Sequence, residues 1–294
     1  MTTDASAPAR FRRILATTDA SEFAAVAVRQ AIEIAAAHGA SIDLLHVAIE
    51  ELQRLEPRVY ARETDEAIAP LEAMAAERGV AMTRHVMPGR ASTVISEQVA
   101  ALSPDLVVLG ARGRTVFDRL LLGSVTDRVI RRTDRPVLVV HPADTRPLAD
   151  VRTVVAAVDF SGCSEAVVAA ARRMLAARGG PGTLLLVHAD AFAADPMVAA
   201  TAAESGGEAA ARAAELRERI DAITKAAREP GLAVEAIVSP AYPVELLDRE
   251  VRRADADLIV VGRSGRGRLE RLLLGSVAQR VLEHASCPVL VAGP

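Results

Sequence analysis

The chain has 294 residues, of which 51% are hydrophobic, and a formal net charge of −3 at pH 7. The small negative charge excludes a general electrostatic attraction to nucleic acid, and two tyrosines and five phenylalanines leave little surface for stacking bases. No apolar run approaches the ~20 residues that a membrane-spanning helix needs, so we expect no nucleic-acid partner and no membrane partner.

The first half of the chain alternates short apolar runs with helical patterns. Buried strands are predicted at 14–18, 42–47, 80–86, 106–109 and 136–140. Helices are predicted between them at 22–38, 60–78, 91–102 and 124–132, and glycines follow the first two. Continuous apolar strands separated by helices predict a parallel sheet that is covered on both faces.

The second half repeats this order. Its strands are predicted at 154–158, 184–188, 232–238, 258–261 and 288–291. Residues 110–140 and 262–292 align without a gap, and 16 of the 31 positions are identical. We therefore predict an α/β fold of two tandem, Rossmann-like, five-stranded parallel-sheet sandwiches. The predicted divisions are a disordered tail at 1–10, domain 1 at 11–142, a linker at 143–150 and domain 2 at 151–294.

Cysteine usage and the N-terminus bear on the cellular compartment. Cys163 and Cys287 fall at unmatched positions in different halves and form neither a CxxC pair nor a metal-binding spacing. The N-terminal sequence MTTDASAPARFRR has no apolar signal core. We therefore expect a reduced, cytoplasmic protein.

Two loops in each half carry the residues that suggest chemistry. Asp19 and Asp159 follow the first strand of each half, while Gly110 and Gly262 follow the fourth strand. Ligands of open parallel sheets bind outside the carboxyl ends of strands, where the strand order reverses. If the first and fourth strands are neighbours, both loops face one crevice.

The glycine spacing after the fourth strand is the same in both halves. Gly110, Gly113 and Gly123 correspond to Gly262, Gly265 and Gly275, and a serine follows each last glycine, at Ser124 and Ser276. The last glycine and the serine open a helix, whose free N–H groups and positive dipole end attract anions. Positive charge beside this point comes from Arg112, Arg114, Arg263, Arg266 and Arg268. The pattern predicts a phosphate-binding site in each half.

Each residue also has a purely structural alternative. Asp19, with Glu22 three residues later, could be a helix N-cap in a capping box. The glycines could only punctuate loops, and the arginines could be solvated. We interpret His46 and His188, which lie in strands, as core histidines rather than ligands. Duplication of the whole pattern, with different residues between its fixed positions, favours the binding site.

The spacing G-2x-G-9x-G(S/T) resembles the ATP-binding branch of the universal stress protein family. The resemblance covers nearly the whole chain and includes the aspartate after the first strand (ILATTDAS and VVAAVDFS) and the last strand (PVLVV). It implies a five-stranded α/β sandwich that binds ATP, with Mg²⁺, through the glycine motif. It also implies contact between tandem domains and a homodimer.

The resemblance assigns roles by position. Asp19 and Asp159 would hold the adenosine side of ATP or an associated Mg²⁺, Thr17 and Ala157 would line the ribose, and Val47 would lie near adenine. The glycine motif and the start of the next helix would hold the phosphates: Gly110, Gly113, Arg114, Gly123, Ser124 and Val125 in domain 1, and Gly262, Gly265, Arg266, Gly275, Ser276 and Val277 in domain 2. Two positions differ between the halves, because Ala189 replaces Val47 and Ala241 replaces Gly89. The second site is therefore expected to differ in affinity or to be partly occluded.

These residues are compatible with three functions. The first is an ATP-binding regulatory stress-response protein whose two sites control conformation, oligomerisation or binding of a regulatory protein partner. The second is a slow ATPase or phosphotransfer enzyme, and the third is a nucleotide-free interaction scaffold. The single lysine, Lys225, lies in a helical stretch, so neither a Walker A lysine nor a kinase lysine is present. We predict the regulatory, non-catalytic protein.

The last strand of each half would be an apolar sheet edge that needs a cover. Burial of residues 136–140 or 288–291 against the other domain, or against another chain, would remove that edge. The residues alone do not choose between these two partners.

Overall fold

A computed structural model of the chain describes residues 10–48, 54–112, 122–177, 179–195, 207–263 and 274–293. The elements of the first half are β1 (Arg13–Thr18), α1 (Glu22–His38), β2 (Ser41–Ala48), α2 (Pro57–Glu77), β3 (Met82–Pro88), α3 (Ala91–Leu102), β4 (Leu106–Gly110), α4 (Ser124–Arg132) and β5 (Val137–Val140). The elements of the second half are β6 (Thr153–Ala157), α5 (Ser164–Leu175), β7 (Gly182–Ala189), α6 (Gly207–Ala227), β8 (Leu232–Ser239), α7 (Pro243–Ala254), β9 (Leu258–Gly262), α8 (Ser276–His284) and β10 (Val289–Ala292).

Local capping explains why helix α1 begins and ends where the sequence predicts. The hydroxyl of Ser21 accepts a hydrogen bond from the backbone N–H of Ala24, at 3.1 Å. Gly39 ends the helix in the left-handed conformation, with φ of 70°, which a residue without Cβ adopts at no steric cost. The N-cap is therefore Ser21, and the alternative that placed Asp19 there is wrong.

Helix α2 starts three residues earlier than its hydrophobic periodicity predicts. Pro57 occupies its first turn, where the fixed φ of proline suits the helix and the missing N–H costs no hydrogen bond. Strand β3 begins at Met82 instead of at the predicted residue 80. These differences move element ends without changing the order of elements.

The strand order places β1 beside β4, and β6 beside β9, in parallel pairs. In the first half the order runs β3-β2-β1-β4-β5, and the second half mirrors it as β10-β9-β6-β7-β8. The first and fourth strands of each half are thus neighbours, as the crevice prediction requires. The α/β class, the parallel sheets and the two tandem units are confirmed.

The two sheets join edge to edge through β5 and β10, which pair antiparallel. Leu138 lies opposite Leu290, with a valine pair on each side. The described strands therefore form one ten-stranded sheet in which each half supplies the cover for the other's last strand. The predicted burial of this edge is confirmed, and the partner is the other domain of the same chain.

Helices cover both faces of this sheet. Helices α1, α2, α5 and α6 pack on one face, and α3, α4, α7 and α8 pack on the other. Each face carries one cluster of buried apolar side chains that extends through both halves. Within the described ranges, no helix is both long and apolar enough to span a bilayer.

The segment between the halves is held by a buried side chain of helix α1. The amide nitrogen of Gln30 donates to the carbonyl oxygens of Asp144 and Arg146, at 2.7 and 2.9 Å. Its amide oxygen accepts from the backbone N–H of Leu148, at 2.9 Å. Gln30 is 3% exposed, so these three bonds satisfy both ends of a buried amide and fix the connection to the first domain.

Candidate functional site

The predicted aspartates organise the loops that follow β1 and β6. Oδ1 of Asp19 accepts from the backbone N–H of Ser21, at 3.0 Å, and from the hydroxyl of the same serine. Oδ1 of Asp159 accepts from the backbone N–H of Ser161, at 2.9 Å, and from the hydroxyl of Ser164, at 3.2 Å. In both halves one carboxylate oxygen therefore fixes the loop.

The residue after each aspartate has the same unusual backbone conformation. Ala20 has φ of 62° and Phe160 has φ of 59°. Residues with a Cβ rarely adopt this left-handed backbone conformation because of steric crowding. Such strain persists only where the surroundings impose it. The two halves therefore build the same strained turn at the same strand end from different residues.

Buried histidines support these strand ends from β2 and β7. Nδ1 of His46 lies 3.0 Å from the carbonyl oxygen of Thr18, and Nδ1 of His188 lies 2.7 Å from that of Val158. Because a carbonyl only accepts, Nδ1 carries the proton in both rings. Nε2 of His46 lies 2.7 Å from the hydroxyl of Tyr60. These bonds fit the interpretation of both residues as hydrogen-bonded core histidines.

The second loop of each half closes on itself at its two ends. The backbone N–H of Gly123 donates to the carbonyl oxygen of Ala111, and that of Gly275 donates to the carbonyl oxygen of Arg263, both at 2.8 Å. A Cβ at Gly123 would lie 3.1 Å from the oxygen of Ala111. A side chain at this position would force one of the two closely spaced backbones to shift, which favours glycine.

Helices α4 and α8 start directly from these closing bonds. Their N-caps are Gly123 and Gly275, which have extended backbones and no side chain that could cap the helix. The first helical residues, Ser124 and Ser276, are exposed. The positive end of each helix therefore lies at the predicted position.

In the second domain these parts surround a cavity of about 240 Å³. Six predicted residues line it: Ala157, Asp159, Gly262, Gly275, Ser276 and Val277. The cavity lies at the carboxyl ends of β6 and β9, where the strand order reverses. The structure thus brings the described part of the second predicted site together in one crevice.

The first domain places the equivalent residues on equivalent elements. Thr17 is the penultimate residue of β1, Val47 lies near the end of β2 and Gly110 ends β4. Asp19 follows β1, while Gly123, Ser124 and Val125 form the start of α4. The remaining predicted residues, Gly113, Arg114, Gly265, Arg266 and Arg268, lie outside the described residues, as does the predicted tail except for Arg10.

Sequence reasoning missed part of the cavity wall. Cys163 is the N-cap of α5, and Pro243 and Leu247 belong to α7. His188, which was expected to be a core residue, also lines the cavity, and so does Ala189, the counterpart of the predicted adenine contact Val47. Pro243 adjoins the loop after the third strand, and the sequence difference between the two halves in that loop was the signal that could have found it. Nothing local in the sequence distinguishes Leu247 from any other core leucine.

The expected position of Arg263 is wrong. The sequence places this arginine beside the phosphate pocket, but the residue is only 6% exposed. Its Nη1 donates to the carbonyl oxygens of Ile130 and Thr133, in the other domain. Carbonyl groups at the end of helix α4 provide partners that compensate the guanidinium for its loss of water.

The two sites differ at the positions where the sequence differs. Gly89 has φ of 128°, and a Cβ there would lie 3.0 Å from a methyl carbon of Val94. The loop of the first domain therefore needs glycine, whereas that of the second domain accommodates Ala241. The hydroxyl of Thr126 donates to the carbonyl oxygen of Gly110, at 2.8 Å, and Ala278 at the equivalent position makes no such bond and instead lines the cavity.

Comparison with known protein families gives a match over both halves. The model of the universal stress protein family matches residues 10–141 and 150–293. The chain is similar to a universal stress protein of Mycolicibacterium smegmatis, with 29% identity over 296 residues that cover 96% of this chain and 97% of that protein. It is also similar to a universal stress protein of Mycobacterium tuberculosis, with 35% identity over 192 residues that cover 64% of this chain and 61% of that protein.

Solved structures share the whole architecture. A universal stress protein from Archaeoglobus fulgidus superposes with a TM-score of 0.68 at 22% identity, covering 96% of this chain and 98% of that one. A protein of unknown function from Pseudomonas aeruginosa gives the same TM-score at 20% identity, covering 97% and 93%. At these identities the likeness concerns the fold.

Proposed function

The chain belongs to the universal stress protein family, and from that premise we propose that it is a regulatory protein with one ATP-binding site in each half. The observation that carries the proposal is the second-domain cavity. There a strand-end aspartate, Asp159, and the uncapped start of helix α8 line the same crevice.

The start of α8 suits the phosphate groups. Gly275 has no side chain to satisfy the first N–H groups of the helix, and the hydroxyl of Ser276 is exposed beside them. Oriented backbone N–H groups and the helix dipole stabilise a bound anion. The same arrangement recurs at Gly123 and Ser124 in the first domain.

The opposite wall suits the nucleoside. Ala157, Ala189, Pro243 and Leu247 give it an apolar surface, of the kind that ligand sites offer to a planar base and a sugar. Since Oδ1 of Asp159 holds the loop, the other carboxylate oxygen is the one we assign to the ribose hydroxyls or to a cation. Asp19 has the same assignment in the first domain.

The side chains of the proposed sites could hold Mg²⁺ only together with the phosphates of ATP. Among the residues that the structure describes, no three His, Cys, Asp or Glu side chains cluster in a metal-binding arrangement. Mg²⁺ is commonly held by one or two carboxylates together with the phosphates of its nucleotide. Asp19 or Asp159 would supply that carboxylate, and the bound ion would offset the charge of the phosphates.

We propose regulation rather than catalysis for these sites. The titratable groups on the described cavity wall are Asp159, Cys163 and His188. Asp159 and His188 hydrogen-bond to the strand-end loop and backbone, which favours a structural role for both side chains. ATP occupancy would change conformation, oligomerisation or affinity for a regulatory protein partner, in a homodimeric, cytoplasmic protein.

Calorimetric titration with ATP in the presence of Mg²⁺ tests the proposal on the intact chain. Asp159→Asn keeps an oxygen for the Ser161 N–H but removes the charge, so it should weaken one site at least tenfold, and Asp19→Asn should weaken the other. Asp221→Asn on the exposed face of α6 is the matched control and should leave both affinities unchanged.

Two results would overturn the proposal. One is the absence of ATP binding to the intact chain, which would favour the scaffold. The other is binding that neither aspartate variant alters. Steady ATP turnover by the intact chain, lost in Asp19→Asn or Asp159→Asn, would instead favour the slow enzyme.

A further inference from the structure

We propose that Arg263 is a positioning residue that couples the second ATP site to the first domain. The nature of the ligand rests on the proposed function above, whereas the mechanical link rests on contacts between described residues. It connects Arg263, at which the second glycine loop closes, to helix α4, whose first residues belong to the first proposed site.

The side chain of Arg263 is anchored in the first domain. Its Nη1 donates to the carbonyl oxygen of Thr133 and, at 3.4 Å, to that of Ile130. Its Nη2 lies 3.6 Å from Oδ1 of Asp134. Because the guanidinium is buried, these partners replace its water and hold it in one position.

The backbone of Arg263 belongs to the second site. This residue directly follows β9, and its carbonyl oxygen accepts from the N–H of Gly275, at 2.8 Å. Gly275 is the N-cap of helix α8 and lines the cavity. A single residue therefore ties the start of α8 to the end of α4.

Helix α4 carries the link on to the first site. It is nine residues long, with Ser124 at its start and Arg132 at its end. The guanidinium lies at its carboxyl end, where a positive charge is favourable. A short helix moves as a rigid body, so a shift of Arg263 at one end displaces the N–H groups proposed to bind phosphate at the other.

Among the described residues, this link has no counterpart in the first half. Ala111 occupies the position of Arg263 there, at the same offset as Gly110 from Gly262, and its methyl group has no donor for such bonds. Leu282 is the counterpart of Ile130, and its carbonyl oxygen is met instead by Nε2 of His141, at 2.9 Å. His141 follows β5 and lies outside the glycine loop, so within the described residues the tie from a glycine loop to the opposite phosphate helix is made by Arg263.

The first test needs no nucleotide. In Arg263→Ala, which introduces the residue of the first half, amide exchange should accelerate at least tenfold at Gly275 as well as at the end of α4. Arg263→Met, which keeps the length of the side chain but not its donors, should give the same result if the alanine variant folds poorly. Arg280→Ala on the exposed face of α8 is the control.

Faster exchange at the end of α4 with unchanged protection of Gly275 would overturn the link, because Arg263 would then only cap α4. This outcome does not depend on ATP. A chain that binds no ATP would refute the proposed function, while the exchange experiment would still decide the mechanical link.

The second test measures the coupling. The ATP affinity of the first site is compared between the intact chain and Asp159→Asn, at ATP concentrations that leave the weakened second site of the variant empty. Coupling of ordinary size would change this affinity about fivefold, and Arg263→Ala or Arg263→Met should abolish the difference. An equal difference with and without the arginine would contradict the proposal.

Discussion

Leu138 lies directly opposite Leu290 in the antiparallel pair that joins the two domains, and each is the repeat counterpart of the other. Their numbers differ by 152 (290 − 138), the same difference that separates Gly110 from Gly262. The same offset relates Val137 to Val289 and Val139 to Val291, so the pair Val137–Val291 is the counterpart of the pair Val139–Val289. A pseudo-two-fold axis therefore passes through the leucine pair, so the two domains meet as the subunits of a symmetric dimer do.

This pair should couple the stability of the two domains. Both leucines are fully buried, so Leu290→Ala should lower the free energy of unfolding by about 2–5 kcal/mol. Amide exchange should accelerate in β5 as well as in β10, because the two strands share the junction. Leu184→Ala removes an equally buried side chain from β7, and exchange in β5 that is no faster for Leu290→Ala than for this variant would contradict the coupling.

Replacing the buried Gln30 should lower the free energy of unfolding more than replacing a typical surface glutamine does. Gln30→Ala leaves two carbonyl groups and one N–H of the connecting segment without their partner, at a cost of about 1–3 kcal/mol in unfolding free energy. Arg29→Ala, on the exposed side of the same helix, should cost less than about 0.5 kcal/mol. Urea denaturation measures both values, and equal costs would show that the connection is not held by Gln30.

His38 should make the fold sensitive to mild acid. Burial, with added repulsion from Arg10 and Arg173, lowers the pKa of His38 to about 4. Its Nδ1 accepts from the N–H of Phe11, at 3.3 Å, so the folded state needs the neutral ring. The unfolded chain takes up a proton near pH 6.5, so stability falls as the pH drops from there towards 4.

The size of this effect is measurable by urea denaturation near pH 7.5 and near pH 5. His38 should account for a loss of about 2 kcal/mol between these conditions. His38→Gln should remove that part of the loss, whereas His284→Gln, at an exposed position, should not. An identical pH dependence in wild type and His38→Gln would refute this role.

The two cysteines should differ in reactivity. Burial, followed by the charges of Asp144 and Asp257, raises the pKa of Cys287 to about 12. Cys163 is only half-buried and lines the second-domain cavity. Near pH 8 a maleimide should therefore label one thiol per chain rapidly, because only a thiolate reacts readily.

The labelling also reports on the cavity. Cys163→Ser should abolish the rapid reaction, and ATP with Mg²⁺ should slow it in the wild-type chain. Labelling of Cys287 at a comparable rate would show that its burial is less complete than the structure has it.

The sequence predicts those features whose causes are local. The ends of α1 follow from Ser21 and Gly39, and continuous apolar runs that alternate with helices imply a parallel sheet, whereas the order of its strands was only a condition of the crevice prediction. The partner of β5 could not be chosen in this way, because another domain or another chain would bury its edge equally well. Only the three-dimensional arrangement selects β10.

The site shows the same division between local and distant causes. The residues of the second cavity that lie on the glycine motif and on the loop after β6 could be predicted, since the repeat marks them. Leu247 and Cys163 approach the cavity from α7 and α5, whose packing no local pattern encodes. Arg263 was misassigned because its partners, Ile130 and Thr133, are more than a hundred residues away in the sequence.

The most direct test of the central claim is to denature the purified full-length protein and identify any released nucleotide by chromatography and mass. The account predicts ATP, at about two molecules per chain if both sites retain it, or about one if the differences at Gly89 and Ala241 weaken one site. A chain that releases no nucleotide, and that binds no ATP in a calorimeter in the presence of Mg²⁺, would contradict the account.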